Sequence, residues 1–379
     1  MIYVQHLLGI GHLQRSLYLA AELARQNFQV ELVSGGMPRE LTIPETVKLR
    51  QLPPVYSPDG SFSRLLDASG IDIDDNWRAR RKQKLLAFFE SFSPHILITE
   101  TFPFGRRMMR FELIPLLEAA RHSVDCVQVI TSIRDVLQPK TKPGRNEEIC
   151  ALIDQYYDHV LVHGDQKIAQ LADSFALAAS IDEKVSYSGY ICAPGHELAP
   201  TGEGIDEVLV SAGGSVTGLE ILKTAIAAKP MSGLNKLHWR LLVSPSIDDS
   251  QFRALQQIAG EGIHIERNPP DFSDLVKRAR LSISQAGYNT VTDILNSNTA
   301  AVVIPYAEAD EVEQTMRAQK LQNCGRLVLL PQDDLAPAAM ATAIAKADKQ
   351  NSALEVNLAG GINSATMILE WLRHAGKEN

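Results

Sequence analysis

The chain has 379 residues, 45% of them apolar and 22% charged, and a formal net charge of −8. That length exceeds the roughly 250–300 residues at which one core stops growing, so two domains are expected. No apolar run nears the ~20 residues of a membrane span, the acidic balance argues against a nucleic-acid partner, and the scattered Cys126, Cys150, Cys192 and Cys324 suit neither a disulfide framework nor structural zinc.

Short runs rich in Val, Ile and Leu alternate with amphipathic stretches, the pattern of parallel strands joined by crossover helices. In the first half, strands are expected at 2–8, 29–34, 96–99, 126–130, 159–162 and 185–188, with helices over 13–25 and 82–92. The opening Met1-Ile2-Tyr3-Val4 reads as a buried strand and not as a secretory signal, so a cytoplasmic location is expected. The polar stretch 192–204 then breaks the periodicity as a linker. A second series follows, with strands at 207–211, 239–243, 263–266, 281–284, 300–304 and 326–330 and helices over 218–228, 272–279, 289–295 and 313–323. The expected architecture is α/β, two doubly wound Rossmann-like domains at 1–195 and 205–362 facing across a cleft. A helix over 363–379 is expected to cross back to the first domain.

The first strand ends in Gly9-Ile10-Gly11-His12, a glycine turn opening onto a helix. His12 suits a general base there and equally a polar cap. The spacing lacks a full G-x-G-x-x-G, which disfavours a dinucleotide site. The run from Trp77 to Lys84 and the pair Arg106-Arg107 are cation-rich, fitting either a solvated helix face or contact with phosphates and anionic lipid at a membrane surface. Asp72-Ile73-Asp74 matches a metal-binding D-x-D pattern, but reads as an ordinary acidic loop, and no metal is expected. Glu100, Thr101, Arg134 and His163 fall at strand ends, where such a sheet offers its binding edge, although His163 is equally read as a satisfied strand-end residue.

In the second half, Gly213-Gly214-Ser215 follows a strand and precedes a helix, a tight turn that also lets a diphosphate approach the backbone. The most informative stretch is Ser284-Gln285-Ala286-Gly287-Tyr288-Asn289-Thr290-Val291-Thr292-Asp293. Its strand–glycine–helix junction presents N–H groups to phosphate, and Asp293 can accept ribose hydroxyls or simply complement the helix dipole. The acid-rich loop after Pro305 leads to Glu313 and Gln314, within reach of sugar hydroxyls or merely solvated.

Together these residues resemble the GT-B glycosyltransferases related to the peptidoglycan enzyme that adds N-acetylglucosamine to lipid I, with a family 28-like C-terminal domain. The resemblance covers most of the chain and is strongest from Pro269 to Leu335. It implies a second domain that holds a nucleoside diphosphate sugar, with uridine as the expected base, through Gly213, Gly214, Ser215, Gln285, Gly287, Asn289, Thr290, Asp293, Glu313 and Gln314. It implies a first domain that holds a hydroxyl acceptor, small or lipid-linked, with His12 as catalytic base; the helix start at Gly11 and the strand ends at Glu100, Thr101, Arg134 and His163 are where acceptor contacts are then expected. Leu219 stands where the peptidoglycan enzyme carries an arginine after its Gly-Gly-Ser turn, which leaves the base open.

The expected reaction is an inverting, metal-independent transfer with the nucleotide sugar as co-substrate and no cofactor. Two rivals share the donor site: a nucleotide-sugar hydrolase or 2-epimerase, and a non-catalytic nucleotide-sugar binding protein.

Overall fold

The computed structural model describes residues 1–7, 9–39, 41–58, 64–124, 127–193, 203–213, 216–267, 269, 272–307, 311–350 and 354–375. The chain divides into two compact units, Met1–Ile191 with Ala359–Asn379, and Cys192–Leu358. Among the described residues no helix is long and apolar enough to cross a membrane.

The first unit is built on a seven-stranded parallel sheet in the order Val47–Gln51, Val30–Ser34, Ile2–Val4, Ile96–Glu100, Gln128–Arg134, His159–His163 and Val185–Tyr187. Because alternate side chains leave a strand on opposite faces, Tyr3, Val33, Leu97 and Val129 join one core while Ile2, Val4, Leu32, Ile98 and Ile130 join the other. Helices Asp75–Phe92, Arg110–Arg121 and Arg145–Tyr156 supply Leu85, Phe89, Leu113, Leu116 and Ile153 to the first core. The second core is closed by Leu13, Leu17 and Ala20 of helix Gly11–Arg25 and by Ala365 and Ile368 of helix Gly360–Ala375. Trp371 of the latter stacks on His159, ring centroids 3.7 Å apart.

The strand Val47–Gln51 was not expected from the sequence; it is an edge strand whose Lys48, Leu49 and Arg50 are solvent-facing or half-buried, so it lacks the apolar continuity of its neighbours. The basic run also changes meaning. Its helix begins at Asp75, capped by Asp74, and Arg81 turns inward, fully buried, to pair with Glu112 through Nε–Oε2 at 2.7 Å and Nη2–Oε1 at 2.8 Å. Tyr3 donates to the same carboxylate at 2.5 Å. One cation of the run is therefore core architecture, and removing either partner would strand a buried charge. Asp72 is paired with Arg64 at 2.5 Å, so both acids of the D-x-D pattern are engaged in local structure.

The second unit repeats the scheme with six parallel strands in the order Ile263–Arg267, Trp239–Val243, Val208–Ser211, Leu281–Ser284, Ala300–Val303 and Val328–Leu329. Val208, Val210, Leu241, Ile283 and Val302 pack against Ile221, Leu222 and Ala225 of helix Val216–Ala228 and against Met340 and Ile344 of helix Pro337–Lys349. In both sheets the strand order reverses beside the first strand, and that reversal is where an open α/β sheet parts to admit a ligand.

Candidate active site

At the reversal point of the first sheet, Ile2–Val4 lies beside Ile96–Glu100. The chain leaves the first strand and enters helix Gly11–Arg25, which has neither a side-chain cap nor an acidic residue in its first turn. His12 Nδ1 lies 2.7 Å from Glu100 Oε1. The same oxygen accepts from Arg15, one turn further along the helix, and from Thr101 Oγ1 at 2.5 Å. Thr101 sits at φ 66°, a left-handed conformation that turns the chain sharply just beyond the strand. Glu100 is fully buried, and its Oε2 has no hydrogen-bond partner among the described residues.

Burial is the largest influence on His12 and pulls its pKa from 6.5 down to about 3, against the opposing pull of Glu100. For Glu100, burial alone would raise the pKa, but the neighbouring His12, which hydrogen-bonds it, and the Arg15 and Arg106 guanidinium groups overturn that and keep it ionised. A neutral imidazole whose Nδ1 donates to Glu100 leaves Nε2 as a proton acceptor, and the side chain retains 17% exposure.

The structure gives the expected acceptor residues different stations. Gly11 opens the helix, Glu100 and Thr101 lie buried behind His12, and Arg134 ends its strand half-buried. His163 is corrected to an interior position: it is fully buried, with Nε2 at 2.8 Å from Ser132 Oγ and Nδ1 at 2.9 Å from Ser188 Oγ, leaving no surface for an acceptor. Arg15 was missed, although its place three residues after His12 on one helix face was a usable signal.

At the reversal point of the second sheet, the turn after Val208–Ser211 meets the turn after Leu281–Ser284: Gly213 N donates to Gln285 Oε1 at 2.9 Å. Gly214 and Ser215 lie outside the described residues. Gly218 permits the turn, because a Cβ there would stand 1.9 Å from Gly213 O. Gly218→Ala is expected to lower stability by about 1–3 kcal/mol and to weaken nucleotide binding together with it, measurable by denaturant melts with and without nucleotide.

Helix Tyr288–Leu295 starts from Gly287 with no side-chain cap, presenting half-buried Asn289 and Thr290 in its first turn. Asp293 follows in the second turn, buried, and accepts from Ser273 Oγ at 2.6 Å. Burial raises its pKa from 3.8 to about 6; the Ser273 bond and Lys277 oppose the rise and Asp274 adds to it. Its Oδ2 makes no hydrogen bond to the described residues, leaving a carboxylate oxygen for a ligand hydroxyl. Gln314 Oε1 accepts from Tyr306 N at 3.1 Å, fixing the loop after strand Ala300–Val303. Glu313 is corrected to a buried partner of Arg317 at 2.8 Å, spent on holding Ala286 O through that arginine and not on a sugar. Ser273 could not be read from the sequence, since nothing local ties it to Asp293.

Residues 208–367 match the glycosyltransferase family 28 C-terminal domain. The second unit is thus similar to the C-terminal domain of the family 28 glycosyltransferases. Its junction of Gly287 and Asp293 lies inside the matched region. Over 157 residues the chain is 27% identical to the UDP-N-acetylglucosamine–N-acetylmuramyl-(pentapeptide) pyrophosphoryl-undecaprenol N-acetylglucosamine transferase of Sphingopyxis alaskensis, covering 40% of this chain and 39% of that protein. The chain aligns with 19% to 39% of the length of the curated relatives it matches.

Among solved structures, MurG of Acinetobacter baumannii superimposes with a TM-score of 0.59 at 14% identity, over 96% of this chain and 97% of that one. The spinosyn rhamnosyltransferase SpnG complexed with thymidine diphosphate gives 0.60 at 16% identity, over 97% and 96%. The chain thus has the GT-B fold of two Rossmann-like domains.

Proposed function

We propose that this protein is an inverting glycosyltransferase that moves a sugar from a nucleoside diphosphate sugar to an acceptor hydroxyl without a metal. The observation that carries the reading is Asp293: a buried carboxylate, held by Ser273, one turn beyond an uncapped helix N-terminus. Such a carboxylate accepts ribose hydroxyls while the helix N–H groups receive the diphosphate. His12 removes the acceptor's proton at Nε2, the acceptor oxygen attacks the anomeric carbon, and the glycosidic bond's electron pair leaves with the diphosphate. Glu100 balances the imidazolium as it forms. One displacement inverts the anomeric centre. By likeness to the UDP-dependent relative, the base is uridine.

The test is a thermal-shift panel of uridine, thymidine, guanosine, cytidine and adenosine diphosphates. Uridine diphosphate at about 100 times its Kd is expected to stabilise the native state by roughly 2.7 kcal/mol, an effect lost in Asp293→Ala. A larger shift with thymidine diphosphate would reassign the base. No shift with any nucleotide, nor with intact nucleotide sugars, would sink the reading.

A further inference from the structure

The buried arginines of this protein meet carboxylates, with one exception among the described residues. Arg15 pairs with Glu100, Arg81 with Glu112, Arg240 with Glu207 and Arg317 with Glu313. Arg326 is as buried, at 2% exposure, yet its side chain reaches only backbone carbonyls among the described residues. Nη1 donates to Thr299 O at 3.1 Å, and Nη2 donates to Ser297 O at 2.8 Å and to Ile294 O. Burial lowers its pKa to about 10, so the guanidinium stays charged at neutral pH. A buried cation with no carboxylate beside it is costly, and its place calls for a reason.

The three carbonyls share one location. Ile294 lies in the last turn of helix Tyr288–Leu295, and Ser297 and Thr299 follow it, so Arg326 sits at the negative end of the helix whose first turn is proposed to hold the diphosphate. Arg326 is itself anchored, its N–H donating to Leu321 O at 3.0 Å at the end of helix Glu313–Asn323. Arg317 of that same helix holds Ala286 O, just before the opposite end of Tyr288–Leu295. There Gln285 Nε2 is buried with no hydrogen-bond partner among the described residues, a donor left for an anion. Eight residues set the two ends of the helix about 12 Å apart, with packed protein between them to limit screening. A cation that cancels the negative pole leaves the positive pole less opposed, and an anion at the first turn is held more tightly.

We propose that Arg326 is a positioning residue for the diphosphate: it never touches the ligand, but fixes helix Tyr288–Leu295 from its far end and strengthens the hold of its first turn on negative charge. This role rests on the reading of that helix and Asp293 as the nucleotide site, and it assigns to a remote buried charge a share of the affinity that the diphosphate supplies.

The nucleoside diphosphate that the panel selects is titrated calorimetrically into the full chain at pH 8, and the bare nucleoside is measured by displacement. Arg326→Gln keeps an amide donor for the carbonyls and removes the charge. Its Kd for the diphosphate is expected to rise about 3- to 10-fold, while its Kd for the nucleoside stays within about twofold of wild type. Arg326→Lys keeps the charge with fewer donors, and is expected to restore diphosphate affinity even though its melting temperature falls. Asn296→Asp leaves Arg326 in place and sets a carboxylate at the same helix end. It is expected to reproduce the diphosphate-selective loss, and it decides the matter if Arg326→Gln fails to fold.

Equal losses for nucleoside and diphosphate would reduce Arg326 to a support of the fold, and the proposal falls. It falls as well if Arg326→Lys loses as much diphosphate affinity as Arg326→Gln, or if neither Arg326→Gln nor Asn296→Asp changes it. Each of those results leaves the transferase reading standing. Wild type that binds none of the nucleotides overturns the transferase reading, and the role of Arg326 with it.

Discussion

His12→Ala is expected to slow sugar transfer by about 10²- to 10⁴-fold while leaving nucleotide affinity within about twofold of wild type. The contrast follows from where the groups sit. His12 belongs to the first unit and the nucleotide site proposed around Asp293 belongs to the second, so loss of the proposed base removes proton transfer without touching the carboxylate proposed to hold the ribose. Glu100→Gln should fall between the two, losing kcat with little change in nucleotide affinity, because the amide still faces Nδ1 but no longer offsets the charge of an imidazolium. It should also destabilise the fold, since Arg15 then lies buried beside a neutral amide. Steady-state kinetics of both variants provide the check; transfer at wild-type rate in His12→Ala would remove it from the chemistry.

The second large effect concerns Asp293 and has opposite signs for stability and function. Its folded pKa of about 6 lies above the 3.8 of the unfolded chain. A group raised in this way contributes its stability below pH 3.8, and that contribution is lost as pH rises through 6. At pH 8 the ionised buried carboxylate therefore costs up to about 3 kcal/mol relative to acid conditions. Asp293→Asn keeps an oxygen for the Ser273 hydroxyl and removes the charge, so it is expected to stabilise the free protein at pH 8 by about 1–3 kcal/mol. The same change replaces the acceptor oxygen Oδ2 with an amide donor, and nucleotide affinity is expected to fall about 10- to 100-fold. In wild type, nucleotide affinity should decline as pH drops below 6, where the carboxylate takes up its proton. Denaturant melts and calorimetry across pH 4–8 test both halves; an Asn variant that is less stable at pH 8 would contradict the burial argument.

Local patterns exposed the parts of this molecule that local physics decides. The helix start at Gly11 and the Gly287 junction were legible because a glycine beside a helix start is written in consecutive residues. The doubly wound class followed from periodicity, but the edge strand Val47–Gln51 did not, since only Val47 is buried and Lys48 and Leu49 face solvent. Long-range pairing stayed hidden. Glu100 reaches His12 across 88 positions of sequence, and it does so because the strand that carries it lies beside the first strand. Arg81 looked like one cation among many until Glu112 drew it inward, and His163 looked like a binding-edge residue until Ser132 and Ser188 enclosed it.

The return of the last helix to the first sheet makes the second unit an insertion in covalent terms. The backbone passes between units at Ile191–Cys192 and again at Leu358–Ala359. Synthesis from the N-terminus therefore delivers the second unit whole before Ala365, Ile368 and Trp371 emerge to finish the first. Until then the first unit holds an open apolar face over helix Gly11–Arg25, a surface for nascent-chain aggregation or chaperone capture. A fragment cut at residues 208–367 would carry part of that orphaned helix, apolar side outward, whereas one ending at Leu358 would not.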